Sequence, residues 1–394
     1  MKVVFVTNVT PATENIRGVS AHPYFLLKYR PKNIEVLMLT YNQNRMSDDY
    51  LKNLQNDLKC QIEVLPKKQN VKRKKRVSIL YSRMISHYEN PTRQIKDRIA
   101  NFSPDIIWTY TNLYAHWARL MPEYKFVNSA PDSMTLLMER TFVDDFYKLS
   151  WLKKIIRIIK CRQYINTEKD YDSPNQIVHL VGYPDLYSYQ KYIGANNAFF
   201  NIHPHYILRN KEIKFKDGRL RIVIAGRYDQ YMRTGADDIV RILLDDRELI
   251  SIIDLTFLGK KWEPIVAILT EAGYICKQVS WVDDYIEELI KYDIQLTPIT
   301  LGTGTKAKVI DAMGNGLLCI GTPYAMENIH FENDKTAIQY QFAFELPSIF
   351  REIFNNKKRF EEMAEIGRDE IRRYHNPTLA SMSFFNTIKK KYNL

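Results

Sequence analysis

Short apolar runs alternate with amphipathic stretches along this chain. In the first half they are KVVFVTN (2–8), IEVLMLTY (34–41), DIIWTY (105–110), KFVNSA (125–130) and QIVHLVGY (176–183). The second half carries LRIVIAGR (220–227), IDLTFLG (253–259), DIQLTPI (293–299) and LLCIG (317–321). A strand with one wet face alternates apolar and polar residues, whereas near-continuous apolar runs predict parallel strands buried on both faces, with helices in the crossovers. The pattern restarts near residue 220, after a polar stretch holding NIHPHY and KDGRL. It predicts two doubly wound α/β domains with a boundary near 205–218 and a ligand cleft between them.

Toward the end the period changes. LPSIFREIFNNKKRFEEMAEIGRDEIRRY has apolar residues at helical spacing, and HNPTLASMSFFNTIKKKYNL starts afresh at Pro377 behind an Asn cap. The predicted division is a Rossmann-like domain over 1–205, a second over 206–375, and a helix over 376–394 returning to the first.

Composition narrows the partners. The chain has 394 residues, more than one compact core accommodates, with 45% hydrophobic and 26% charged residues and no low-complexity tract. A formal net charge of +12 favours anionic partners: nucleotide phosphates, lipid head groups or nucleic acid. Cys60, Cys161, Cys276 and Cys319 are scattered, with no C-x-x-C pair and no histidines clustered beside them, so neither a metal site nor a disulfide framework is expected. MKVVFVTNVT reads as a strand and not as a signal peptide, and no apolar run approaches the length that crosses a bilayer. A cytoplasmic protein, at most peripheral on the inner face of the cell membrane, is expected.

The densest chemistry lies in PITLGTGTKAKVIDAMGNGLLCIGTP, residues 298–323, read as strand end, glycine loop, helix, turn and buried strand. A glycine loop entering a helix is a natural phosphate cradle. The backbone amides of Gly304 and Thr305 are expected at the helix start facing an anion, and Lys308, one turn in, neutralises it. Asp311 then offers a carboxylate suited to a ribose diol; an ordinary exposed Lys–Asp pair would leave the same pattern. Gly302, Gly304 and Ala307 also satisfy the dinucleotide fingerprint, but the acidic residue that should end the next strand is replaced by Gly321 and Thr322. A second basic element, AGRYDQYMRTGADDIV, puts Arg227 at the end of a buried strand and Arg233 in the loop before a helix. Two arginines and Lys308 there would form a pyrophosphate clamp.

These residues resemble the nucleotide-sugar glycosyltransferases of GT-B architecture, close to the large retaining family 4, over most of the chain and most strongly over 220–330. Arg227 matches the arginine of the family's basic pair for the donor diphosphate, and Arg233 replaces its lysine after a one-residue insertion. VSWVDDYIEELIKYDIQLTPI resembles the run in which backbone near Val282 meets the base. The family's two signature glutamates correspond to Thr303, at the donor sugar, and to Asp311, at the ribose. Gly18, in NIRGVSAHPY, stands for the glycine loop after the first strand. The family histidine of the first domain has no counterpart, and Asp132 in FVNSAPDSM is the catalytic candidate in its place. The resemblance implies hexosyl transfer with retention, from a nucleoside diphosphate sugar to a glycan or polyprenyl-linked glycan, in capsule, exopolysaccharide or lipopolysaccharide synthesis. It implies no cofactor and no metal. Asp170-Tyr171-Asp172 spells Asp-x-Asp, but in a polar segment that reads as a solvated loop.

Positive charge concentrates in 66–98, densest from Lys72 to Arg76, and the adjoining VSILYSRMI is amphipathic. The segment 67–76 suits docking on an anionic membrane surface, and equally a solvated loop. Nucleic acid is not expected, since no recognised nucleic-acid-binding motif accompanies the charge. Two other functions fit the same residues: a nucleotide-sugar epimerase on this architecture, and a non-catalytic nucleotide-sugar-binding or membrane scaffold.

Overall fold

The apolar runs become the strands of two parallel sheets in a computed structural model that describes residues 1–13, 18–66, 90–144, 146–210 and 212–394. The basic cluster Lys72 to Arg76 lies outside the described residues. The chain divides into two compact units, Met1–Pro204 with Pro377–Leu394, and His205–Asn376.

In the first unit the strands are β1 (Lys2–Thr7), β2 (Glu35–Thr40), β3 (Gln61–Val64), β4 (Ile106–Tyr110), β5 (Phe126–Ser129), β6 (Gln176–Leu180) and β7 (Ala198–Phe200). They lie in the order β3-β2-β1-β4-β5-β6-β7, all parallel. The crossover helices are α1 (Gly18–Lys28), α2 (Asp48–Leu58), α3 (Arg93–Phe102), α4 (Trp117–Leu120), α5 (Met134–Asp144), α6 (Trp151–Glu168) and α7 (Tyr183–Ile193). Ser47 and Thr92 start α2 and α3 by accepting the Tyr50 and Ile95 amides, so each start follows from a local side chain.

Strand β1 shows why continuous apolar runs were needed. Val3 and Phe5 pack on one face with Val36, Met38 and Trp108, while Val4 and Val6 pack on the other with Leu37, Leu39 and the α3 residues Ile95 and Ile99. Alternate side chains meet opposite helix layers, and none has a wet face.

The second unit contains β8 (Leu220–Ala225), β9 (Ile253–Leu258), β10 (Ile275–Val279), β11 (Ile294–Thr297), β12 (Leu318–Gly321) and β13 (Ile338–Gln339), ordered β10-β9-β8-β11-β12-β13. Its helices are α8 (Arg233–Asp245), α9 (Glu263–Glu271), α10 (Tyr285–Leu289), α11 (Ala307–Gly314), α12 (Pro323–Met326), α13 (Leu346–Asn355) and α14 (Lys357–Tyr374). Both sheets change winding direction next to their first strand, and the C-terminal ends of β8 and β11 flank that switch point in the second unit.

The final helix, α15 (Pro377–Tyr392), belongs to the first unit. Phe384, Phe385 and Ile388 complete the core on the Val3/Phe5 face; the Phe384 and Trp108 rings lie 4.8 Å apart, and Ser381 Oγ donates to the Leu26 carbonyl at 2.7 Å. Among the described residues no helix is long and apolar enough to cross a membrane.

Candidate functional site

In the second unit the geometry is set by backbone that only glycine adopts. Gly226 follows β8 with φ +130° and Gly259 follows β9 with φ +149°. A Cβ on Gly259 would stand 2.0 Å from the Gly226 carbonyl oxygen, so the two strand ends touch through bare backbone. A Cβ on Gly226 would stand 2.4 Å from Lys308 Nζ, which occupies the space left by the missing side chain.

Lys308, on the first turn of α11, donates from Nζ to the Ala225 carbonyl at 2.9 Å. Burial lowers its pKa to about 8; Asp229 pulls the other way, and Lys306 adds to the lowering. The lysine therefore leaves the helix edge on which the sequence placed it and sits half-buried against the C-terminal end of β8. Gln295 on β11 donates to the Lys308 carbonyl at 3.0 Å, holding that helical turn against the sheet.

Arg227 follows Gly226 directly and is exposed. Arg233 is the first residue of α8 and not a loop residue, because Met232 and Arg233 donate their amides to the Asp229 carbonyl and close the turn early. Its guanidinium lies 5.4 Å from the Tyr228 ring centroid. A Cβ on Gly235 would stand 2.3 Å from the Pro298 carbonyl oxygen, and the Thr300 amide donates to the Tyr231 carbonyl. The segments after β8 and β11 are thus laced together, and Arg227, Arg233 and Lys308 all belong to the C-terminal side of these two central strands.

Gly304 and Thr305 do not stand at the start of α11. The helix begins at Ala307, with Lys306 at the capping position, and Gly304 adopts φ +64° in the loop before it. The Lys306 ammonium explains the delay: it donates back to the Thr303 and Gly304 carbonyls at 2.8 and 2.9 Å and curls the loop on itself. Thr303 is partly buried in that curl. Lys306 and Asp229 shape the site without having been singled out in the sequence; a lysine bonded to backbone two and three residues away leaves no motif.

Asp311, one turn beyond Lys308, is 4% exposed, and burial alone raises its pKa to about 8. Its Oδ1 is buried and has no hydrogen-bond partner among the described residues, as is the Tyr285 hydroxyl on α10. Burial first, and then Asp311 where it is ionised, push the Tyr285 phenol well above its ordinary pKa. A buried carboxyl oxygen without a donor is costly, and a ligand hydroxyl would relieve it. Val282 is partly buried in the loop leading to α10, three residues before Tyr285.

The remaining candidates lie in the first unit. Asp132 is exposed in the turn from β5 to α5. That turn is pinned by two buried carboxylates: Asp185 accepts the Ser133 amide at 2.7 Å, and Glu168 accepts from Ser133 Oγ at 3.1 Å and from the Thr135 amide at 3.0 Å. Burial, and then the Asp132 charge, push the Tyr110 phenol well above its ordinary pKa.

Gly18 is not a loop glycine but the first residue of α1, and a Cβ there would meet nothing within 4 Å. Gly18→Ala is accordingly expected to leave stability within about 0.5 kcal/mol of the parent or slightly higher, measured by urea unfolding.

The Asp170-Tyr171-Asp172 segment is not a solvated loop. Asp170 and Tyr171 are 2% and 3% exposed in a 3₁₀ turn. Asp170 pairs with Arg119 at 3.2 Å, and Tyr171's carbonyl accepts from Gln176 and Asn197 side chains. Local polarity misled here, because the turn folds beneath the end of α6. The sequence also gave no sign that His22, His179 and His203 would meet inside the first unit, with His22 Nδ1 3.0 Å from the Tyr110 hydroxyl. Burial and their mutual repulsion hold His22 and His179 neutral, His179 at about 3.

Two Rossmann-like units with parallel sheets, ordered 3-2-1-4-5-6-7 in the first and 3-2-1-4-5-6 in the second, the second bearing basic residues at its switch point, define the GT-B fold. Solved structures share it at low sequence identity. HepE from Anabaena, in complex with UDP and glucose, superposes with a TM-score of 0.65 at 11% identity, covering 99% of this chain and 100% of that one. Sucrose-phosphate synthase from Thermosynechococcus elongatus gives 0.68 at 12% identity with 100% of both chains covered. WaaG, a glycosyltransferase involved in lipopolysaccharide biosynthesis, gives 0.59 at 14% identity, covering 96% of this chain and 98% of that one. No protein-family model matches the chain, and no curated protein matches it in sequence.

Proposed function

We propose that this protein is a nucleotide-sugar glycosyltransferase that moves a hexosyl group from a nucleoside diphosphate sugar to a hydroxyl of a glycan or lipid-linked glycan. The observation that carries this reading is Lys308: a half-buried lysine with its ammonium at the end of β8 beside Gly226, one helical turn before Asp311, whose buried Oδ1 has no partner among the described residues. The HepE structures, which hold UDP and UDP-glucose, support a donor of that chemistry.

In the transfer, an acceptor hydroxyl oxygen bonds to the sugar's anomeric carbon as the bond from that carbon to the phosphate oxygen breaks. The diphosphate leaves with the bonding electrons, and the hydroxyl proton passes to a base or to the departing phosphate. Stabilising the growing negative charge is the main task. Lys308, Arg227 and Arg233 take it, with the Gly304 and Thr305 loop holding the phosphates. Asp311 receives the ribose, the Val282 backbone the base, and Thr303 stands by the sugar. Asp132 is the first unit's catalytic candidate. Retention of configuration, independence of divalent metal, and a role in surface-polysaccharide synthesis at the inner face of the cell membrane, with 67–76 contributing to docking, are parts of the same proposal.

The test is a thermal-shift panel of uridine, guanosine, adenosine, cytidine and thymidine diphosphates in the presence of EDTA. One of them is expected to stabilise the protein, and its sugar nucleotide to be consumed with a new glycosidic linkage seen by NMR. No stabilisation by any of them overturns the site. Binding followed by inversion of a sugar carbon points to an epimerase, and binding without turnover to a scaffold.

A further inference from the structure

Helix α6 is built inside out. Its sequence, WLKKIIRIIKCRQYINTE, carries Trp151, Leu152, Ile155, Ile156 and Ile158 in the first two turns. At 100° per residue these five fall on one continuous stripe, and Lys153, Lys154, Arg157 and Lys160 fall on the other side. On a helix flanking a sheet the apolar stripe should face the protein. Here the five are 68%, 55%, 45%, 52% and 53% exposed. The inward-turned positions are two of the basic ones: Arg157 donates to the Thr141 carbonyl of α5 at 2.9 Å, and the Lys154 ammonium lies 5.7 Å from the Phe146 ring centroid. Isolated exposed apolar residues are ordinary, but a contiguous stripe of this kind marks a surface that something else covers.

Charge says what covers it. From 151 to 167 the helix carries Lys153, Lys154, Arg157, Lys160 and Arg162 and no acidic residue. Glu168, its first acid, is buried and engaged by Ser133 and Thr135. Lys153 and Lys160 are exposed along one edge of the stripe, and Arg162 is exposed at its C-terminal end. An apolar stripe with a tryptophan at its head and cations along its rim matches an anionic bilayer: the isoleucines enter the acyl boundary and the lysines meet phosphate. A protein partner would need a complementary acidic rim, which the chain's own excess of base argues against in a second copy of itself.

We propose that the outward face of α6, from Trp151 to Arg162, lies in the plane of an anionic membrane and docks the first unit there. This is independent of the sugar-transfer reading. The experiment is co-sedimentation of the full chain with phosphatidylcholine vesicles, with and without phosphatidylglycerol. The variants are Trp151→Ser/Ile155→Ser/Ile156→Ser and Lys153→Glu/Lys160→Glu/Arg162→Glu, all at exposed positions. The parent is expected to bind only the anionic vesicles, and each triple variant to bind them more weakly by about a hundredfold or more. Unchanged thermal unfolding would show that both variants remain folded. Parent-like vesicle binding by both variants overturns the proposal, as does loss of binding only when Lys72 to Arg76 are neutralised. A dimer in light scattering that the serine variant dissociates, without lipid binding by the parent, also overturns it and assigns the stripe to a second copy.

Discussion

Lys308→Ala and Arg227→Ala are each expected to weaken binding of the preferred nucleoside diphosphate by roughly 1–3 kcal/mol, the scale of charge-assisted hydrogen bonds. The two sites differ in their pH dependence. The Lys308 pKa of about 8 makes its ammonium the dominant form below that pH and the neutral amine dominant above it. A bound diphosphate favours the ammonium, so affinity should be full below about pH 8 and fall as pH rises through it. Asp311 acts in the same direction, because its pKa of about 8 leaves it neutral below that pH and places a negative charge near the phosphates above it. Isothermal titration from pH 6.5 to 9.5 should therefore show a decline in the parent, a shallower one in Lys308→Ala, and an undiminished decline in Arg227→Ala. A flat parent profile would remove Lys308 from the site.

Gly259→Ala should be the most damaging single methyl group in the second unit. It combines a backbone at φ +149° with a Cβ 2.0 Å from the Gly226 carbonyl, and neither can relax without moving the strand ends. A loss of roughly 2–6 kcal/mol is expected, from unfavourable backbone conformation and overpacking together. The Gly226–Arg227 turn would shift with it, so diphosphate affinity should fall as well. Gly273→Ala is the control: φ is +95°, but the nearest atom to its Cβ is Ile250 Cδ1 at 3.5 Å. Equal urea midpoints for the two variants would mean that the contact between strand ends carries no weight.

The central strands were legible in the sequence because burial on both faces forces a continuous apolar run, as in KVVFVT and LRIVIA. The edge strands were not. β3 reads QIEV and β10 reads ICKQV, each with exposed and partly buried residues, and such sequences look like loop or helix surface. The second unit's candidate residues were legible as types in order, glycine, arginine and lysine following buried strands, and the structure places them near the ends of β8 and β11. Their environment was not. Nothing in KAKVIDAM shows that the Lys308 ammonium turns in to the end of β8, because that depends on Gly226, eighty-two residues earlier. The inverted face of α6 was equally hidden: the stripe is plain in the sequence, and only the packing of Arg157 on α5 shows which way it points.

The place of α15 in the first unit bears on how the protein is made. Tyr392 bonds to the Phe126 carbonyl across 266 residues of sequence, and Ser381 to the Leu26 carbonyl across 355. During synthesis α1 and α2 can pack on the Val3/Phe5 face of the first sheet, through Leu26, Leu27, Leu54 and Leu58, but the part that Phe384, Phe385 and Ile388 cover must wait while the whole second unit leaves the ribosome. The second unit, continuous from His205 to Asn376, can close first although it is translated later. The unit that is translated first is therefore completed last, and for that interval the nascent protein leaves open the apolar seat of α15.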